Sequence, residues 1–163
     1  MKDTIQIHSL APNDELSLFI ESFWMIQNTS EQDEEVETFP DGGIDLYFFH
    51  SEKLPLHVSL VGLETDVQVA IMPKNSILFG VRLKLLSAEY LLKTPVSGIL
   101  NDNKILDIGF AGITTSDFSC FDKFCKKLSQ YFCSQLTNPI DPRKKIMSDC
   151  IYSSNGSVSV TEI

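Results

Sequence analysis

Two side chains of opposite charge lie in strand-like surroundings where an unpaired charge is costly. Asp45 is in the stretch FPDGGIDLYFFH, and Arg82 is in FGVRLK. Because side chains alternate along a strand, Asp45 shares one face with Tyr47 and Phe49. A buried carboxylate needs a partner, since alone it costs several kcal/mol or shifts its pKa. We therefore predict an Asp45–Arg82 pair, which either locks the structure or faces a ligand.

Two aromatic residues are candidates for the apolar walls of a pocket beside this pair, Trp24 in SFWMIQ and Tyr47. For Trp24, a place in the hydrophobic core is the favoured alternative. The Asp41-Gly42 step ahead of the strand is typical of a tight turn, because both residues tolerate positive φ angles. We assign that turn a structural role.

The sequence offers little for catalysis. A cupin-type metal centre needs two histidines two positions apart, a carboxylate and a later histidine, and His8, His50 and His57 do not fit that pattern. Nucleophile and phosphate-loop motifs are absent, and Cys120 and Cys133 lie on an apolar helix away from any histidine. We expect no enzyme activity, no metal and no cofactor.

Composition indicates a soluble domain. The 163 residues are 43% hydrophobic with a mean hydropathy of +0.03, which is sufficient for one core. The four cysteines follow no zinc or disulfide pattern, so reduced thiols are the simpler interpretation. The N-terminal stretch lacks a signal-peptide core, and no apolar run is long enough to span a membrane. We expect a cytoplasmic protein with no membrane contact.

Charge is distributed unevenly. Residues 1–79 carry 3 Lys and Arg against 14 Asp and Glu, and residues 80–163 carry 10 against 8, so the halves have net charges of −11 and +2. Direct binding to duplex DNA needs a basic face, which this chain lacks. Any contact with DNA must therefore be made by another segment.

The first half of the chain reads as β structure after a short helix capped by Asn13. Short β-rich runs alternate with turn residues from residue 34 to 86, which predicts five or six antiparallel strands in a barrel or sandwich. Beyond residue 86 the pattern predicts helices: a short one from Ser87, a turn or helix in NDNKILDIGFAG, and a long one that starts at Ser116 and Asp117.

The long helix carries an apolar stripe at 3,4,3,4 spacing. Its members are Phe118, Phe121, Cys125, Leu128 and Phe132. Such a stripe packs on the domain's own sheet or forms a dimer interface, and both alternatives remain open.

The end of the chain predicts one more complete helix and the start of another. Asp141 is a candidate N-cap, Pro142 fits the first helical position, and Asn155-Gly156 fits a C-cap. Ser159 to Glu162 then matches a capping box. We expect residues 141–163 to begin a second domain that continues beyond this chain.

Three segments together resemble the N-terminal effector domain of one subgroup of AraC-type (AraC/XylS) transcription regulators. They are LSLFIESFWMI, FPDGGIDLYF and GVRLKLLSAEYLL, and the matching residues are Trp24, Pro40, Asp41, Gly42, Asp45, Leu46, Gly80 and Arg82. IYSSNGSVSVTEI is similar to the start of that family's DNA-binding domain. One departure is KLLS, where the family tends to have a Pro-Gly step.

The resemblance implies an α+β chain with an antiparallel cupin-like β-barrel or sandwich followed by C-terminal helices. It divides the chain into a sensor and oligomerisation domain, 1–140, with its barrel in 1–86 and helices in 87–140, and the start of a helix-turn-helix domain, 141–163. The implied function is effector binding and dimerisation in a transcription factor that contacts DNA through the missing domain. The alternatives are a stand-alone small-molecule-binding barrel, a diverged cupin-like enzyme and a purely structural dimerisation module.

Overall fold

The computed structural model describes residues 4–159 and 161, which form eight strands, three short helical turns and two α-helices. The strands are β1 (Ile5–Leu10), β2 (Ile20–Asn28), β3 (Glu34–Thr38), β4 (Ile44–Ser51), β5 (His57–Val61), β6 (Gln68–Met72), β7 (Ser76–Leu83) and β8 (Asn103–Ile105). The helical segments are a π-helical turn (Ala88–Leu92), two 3-10 turns (Phe110–Gly112 and Thr115–Ser119), α1 (Phe121–Gln135) and α2 (Pro142–Ser153). None of these helices has the length and apolar character needed to cross a membrane.

The strands form two antiparallel sheets. Six strands follow the spatial order β1-β2-β7-β4-β5-β8, and β3 pairs with β6. Every pairing among the described strands is antiparallel. The predicted α+β class, an antiparallel sandwich followed by C-terminal helices, is confirmed.

The six-stranded sheet has one apolar face and one mixed face, as the alternation along its central strands predicts. Leu46 and Phe48 of β4 are fully buried, and they join the core together with Phe79 and Val81 of β7. Asp45 precedes Leu46 directly, so its side chain lies on the opposite face of the sheet.

Helix α1 covers the apolar face through aromatic contacts. The ring centroid of Phe124 lies 4.3 Å from that of Phe79 and 5.1 Å from that of Phe48. Phe118, in the 3-10 turn before the helix, stacks on Phe79 at 4.8 Å with an interplanar angle of 12°. These contacts place the helix over the two central strands, β4 and β7.

The apolar stripe of this helix belongs to the core of the chain itself. Phe118, Cys125, Leu128 and Phe132 are at most 6% exposed, and Phe121, which is half-buried, packs against the same core. Of the two alternatives, packing on the chain's own sheet is the one observed, and the dimer-interface alternative is wrong for the four buried side chains because they leave no surface for a second copy.

Helix boundaries differ from the prediction around residue 116. Ser116 and Asp117 lie in the 3-10 turn, where Asp117 Oδ2 accepts hydrogen bonds from the backbone N–H (2.8 Å) and the hydroxyl (3.0 Å) of Thr114. Cys120 then has extended dihedrals (φ −154°, ψ 114°), so α1 begins only at Phe121. A helical segment does start in this region, but its N-cap is Thr114 instead of Ser116, and it is a separate short turn.

Three other segments depart from the sequence-based assignment. Asn13 Oδ1 accepts from the Leu16 N–H at 3.1 Å, as a cap would, yet only consecutive turns follow. Asn103–Ile105, predicted as a turn or helix, is the edge strand β8 and extends the sheet beyond residue 86. Ile5–Leu10 forms β1, and its mostly exposed residues carry no burial pattern that would reveal a strand.

The predicted helix at the end of the chain is confirmed. Asp141 Oδ1 accepts from the Arg143 N–H at 2.9 Å, Pro142 is the first helical residue, and Asn155 and Gly156 have positive φ angles of 50° and 75°. The predicted capping box of Ser159 to Glu162 cannot be traced in the same way, since Glu162 lies outside the described residues.

Replacing Leu128 with alanine tests whether the stripe stabilises the monomer. The side chain is fully buried, so Leu128→Ala should lower the free energy of unfolding by about 2–5 kcal/mol. Urea unfolding at several protein concentrations measures the effect, with the exposed Lys126→Ala as the control. A loss of stability that grows on dilution would instead restore the dimer-interface alternative.

Candidate functional site

A cavity of about 290 Å³ lies on the mixed face of the six-stranded sheet. Its lining comes from β1, β2, β4, β5 and β7, from the end of β3 with the loop that follows, and from the loop after β5. The lining residues are Ile7, Trp24, Ile26, Thr38, Phe39, Asp41, Gly43, Asp45, Tyr47, Val61, Gly62, Glu64 and Arg82. All four residues predicted for a ligand pocket, Trp24, Asp45, Tyr47 and Arg82, are therefore brought together here.

Asp45 and Arg82 form the predicted pair. The register of β4 and β7 places them directly opposite each other. Arg82 Nε donates to Asp45 Oδ1 at 3.0 Å, and Arg82 Nη2 lies 3.0 Å from Asp45 Oδ2, so the contact is bidentate. Charge-assisted bidentate pairs of this kind are strong and fix the orientation of both planar groups.

A second carboxylate completes the network. Asp41 Oδ2 lies 2.5 Å from Arg82 Nη2, while Asp41 Oδ1 accepts the backbone N–H of Gly43 at 3.0 Å. A Cβ atom on Gly43 would come within 1.8 Å of Arg82 Nη1, so the loop before β4 passes under the guanidinium only because residue 43 has no side chain. Gly42 allows the turn itself, with a φ of 72°.

The surroundings set the ionisation of these groups. Burial raises the pKa of Asp45 to about 6, although the charge of Arg82 and the indole N–H of Trp24 oppose that rise. The hydrogen bond from Arg82 holds the pKa of Asp41 below its usual value. Burial acts to lower the pKa of Arg82, but the two carboxylates outweigh it and raise the pKa. At neutral pH the site therefore holds two carboxylates around one guanidinium.

Two aromatic rings meet above a glycine at the centre of the sheet. Gly80 in β7 is flanked by Trp24 on β2 and Tyr47 on β4, and the two rings are in edge contact at 5.2 Å and 83°. A Cβ on Gly80 would come within 2.1 Å of the indole ring, so only glycine lets the indole lie against the strand. Trp24 Nε1 donates to Asp45 Oδ1 at 3.2 Å, which links the aromatic wall to the charged network.

Trp24 does not belong to the hydrophobic core, contrary to the favoured alternative. It is half-buried on the mixed face, whereas its neighbours Phe23 and Met25 are buried on the apolar face. Alternation along β2 decides the matter, because successive residues point to opposite sides of the sheet.

Sequence reasoning missed the role of Asp41 and of Glu64. Asp41 was assigned to the turn alone, yet it binds Arg82. Strand alternation could not have indicated this contact, because the turn at Gly42, with a φ of 72°, interrupts the extended chain between Asp41 and Asp45. Glu64 lies in the loop after β5, and nothing in its local sequence indicates that it reaches the cavity.

The three histidines lie away from the cavity lining. His8 and His50 contact Phe121 and Phe118, respectively, on the helix side of the sheet, and His57 in β5 pairs with Phe49 in β4. Across residues 4–159 and 161, no group of three or more His, Cys, Asp or Glu side chains is arranged to hold a metal ion. The cavity thus offers charged groups and aromatic surface for binding.

Residues 8–104 match the model of a domain of unknown function, DUF6597, and the chain belongs to that family. The matched stretch contains the charged network and the aromatic pair, whereas α1 and α2 lie beyond it. No curated protein and no solved structure matches the chain.

Replacing Arg82 with leucine tests the structural role of the charged network. Arg82→Leu leaves two carboxylates without a cation, and Asp45 is nearly buried, so we expect the free energy of unfolding to fall by about 2–4 kcal/mol. Urea unfolding measures the change. The double variant Asp45→Leu/Arg82→Leu should lose less, since no deeply buried charge then stays unpaired. Unchanged stability of Arg82→Leu would exclude a structural lock.

Replacing Gly80 with alanine tests the aromatic wall. Because the added methyl group collides with the indole ring, Gly80→Ala should cost about 1–3 kcal/mol of stability and displace Trp24. The control is Gly98→Ala, since a Cβ at that position meets no atom within 4 Å. Trp24 is the only tryptophan, so its indole N–H resonance in an NMR spectrum reports the displacement directly. An unmoved resonance would contradict the steric argument.

Proposed function

We propose that this member of the DUF6597 family is the effector-binding domain of an AraC-type transcription regulator that acts in the cytoplasm. The observation that carries the proposal is the convergence of the three segments that resemble that family on one cavity. Trp24 comes from the first segment, Asp41 and Asp45 from the second, and Gly80 and Arg82 from the third. These residues contact one another, so three motifs that are separated in the sequence contribute to one site.

The charge distribution supports a division of labour within such a regulator. Of the strands that line the cavity, β1 to β5 lie within residues 1–79, whose net charge is −11, and β7 crosses into the second half. A surface of that sign repels the phosphate backbone, so DNA would be held by the C-terminal helix-turn-helix domain that we propose follows this chain. A homodimer is part of the proposal, through a surface other than the buried stripe of α1.

The contacts of α2 provide a physical connection from the cavity towards the C-terminus. The Leu85 N–H, three residues after Arg82, donates to the Tyr152 hydroxyl at 3.0 Å. The Asp141 N–H donates to the Tyr90 hydroxyl at 3.1 Å, and Lys144 lies 2.6 Å from Glu89. A ligand that favours one position of the end of β7 would thereby shift the population of α2 positions by its differential affinity.

A stand-alone small-molecule-binding protein is the second candidate, and one observation favours it. Every residue that lines the cavity lies between Ile7 and Arg82, so the pocket needs no other domain to be complete. If the protein converted a bound compound into a product, this second candidate would be an enzyme.

The coding sequence beyond the codon for Ile163 separates the two candidates. We expect roughly 90–110 further residues with two helix-turn-helix patterns and a basic balance. The full-length protein should then bind a DNA fragment from its own promoter region in a gel-shift assay, with affinity falling steeply as salt rises. A stop codon directly after Ile163 would contradict the regulator proposal and favour the stand-alone binding protein.

A further inference from the structure

Negatively charged side chains outnumber positively charged ones in the lining of the cavity. Its lining carries three carboxylates, those of Asp41, Asp45 and Glu64, against the single guanidinium of Arg82. At neutral pH the lining therefore has a net charge of −2. Carboxylates in a cleft with low-dielectric walls attract cations and repel anions.

Arg82 is not available to bind an anionic ligand. Its Nε and Nη2 atoms are engaged by Asp45 and Asp41, and Nη1 lies against the backbone at Gly43. An anion would have to displace a carboxylate that is already held bidentately, and Asp45 would then remain buried without its partner. That exchange is unfavourable.

Two more exposed carboxylates in the cavity can accept further hydrogen bonds. The Asp41 side chain is 52% exposed. Glu64 is half-buried, and within residues 4–159 its Oε2 accepts a single long hydrogen bond, of 3.4 Å, from the Thr38 hydroxyl. Both can accept hydrogen bonds from a ligand without disturbing the pair formed by Asp45 and Arg82.

Aromatic surface lies beside these acceptors. Trp24 and Tyr47 form one wall, and Phe39, which is 64% exposed, stands in the loop after β3. Aromatic faces attract organic cations, and tryptophan does so most strongly. A bare metal ion would find a poorer site, since the described residues contain no metal-binding cluster.

We propose that the cavity binds a small organic cation, a protonated amine with an apolar body. The ammonium group would lie between Asp41 and Glu64, and the apolar body would pack against Trp24 and Tyr47. This inference rests on the proposed function, since it names the class of effector that the same cavity takes.

Three probes of one shape and different charge test the charge preference. Benzylamine, which is protonated at neutral pH, benzyl alcohol and benzoate are titrated into the protein at pH 7.5, where Asp45 is ionised. The indole N–H resonance of Trp24, the only tryptophan, reports binding in the cavity. We expect benzylammonium to bind about tenfold or more tightly than benzoate, with benzyl alcohol between them.

Two variants test whether the preference for a cation arises from the cavity. Glu64→Gln should weaken benzylammonium about two- to fivefold, the range for a partly exposed ion pair, and leave benzyl alcohol unchanged. Asp149→Asn removes an exposed carboxylate on α2, outside the cavity lining, and should change neither probe.

The outcomes separate this inference from the function on which it rests. Equal or tighter binding of benzoate or benzyl alcohol overturns the organic-cation assignment and retains the cavity as a binding site. Failure of all three probes to shift the indole resonance also overturns it. The regulator proposal is decided independently by the coding sequence beyond Ile163 and by promoter binding.

Discussion

The guanidinium of Arg82 is the point on which the mixed face of the sheet depends. It joins the two central strands through Asp45 and fastens the loop before β4 through Asp41. Burying such charges is costly, and bidentate geometry together with the Trp24 indole N–H compensates for the lost hydration. Neighbouring residues are constrained in turn, because Gly43 and Gly80 must stay small where the guanidinium and the indole lie against the backbone.

The apolar face follows a different physical rule. Its stability comes from close packing of phenylalanine rings between the sheet and α1. The two faces share the same strands and the same backbone hydrogen bonds. A change in the charged network therefore affects the packing of the core mainly by shifting the strands that the two faces share.

Much of this arrangement could be predicted from the residue pattern. Alternation along β4 and β7 assigned Asp45 and Arg82 to one face, and charge then identified them as partners, because few other groups in those strands can pair. The fold class and the caps of α2 follow from equally local signals.

The missed features depend on information that is not local. Whether the stripe of α1 meets its own sheet or a second copy depends on tertiary packing, which the spacing of Leu128 and its neighbours leaves open. Asp41 reaches Arg82 only because the turn at Gly42 and Gly43 folds it back. The extended conformation of Cys120, which separates the 3-10 turn from α1, has no sequence signature.

The alternation of the two faces along β4 also governs which changes in chain length the fold can accept. Inserting or deleting one residue inside this strand would exchange its faces, which would bring Leu46 and Phe48 into the cavity and Asp45 into the phenylalanine core. Substitutions on the cavity face leave that alternation intact. The chemistry of the cavity lining can thus change by point substitution, while strands of fixed length preserve the fold.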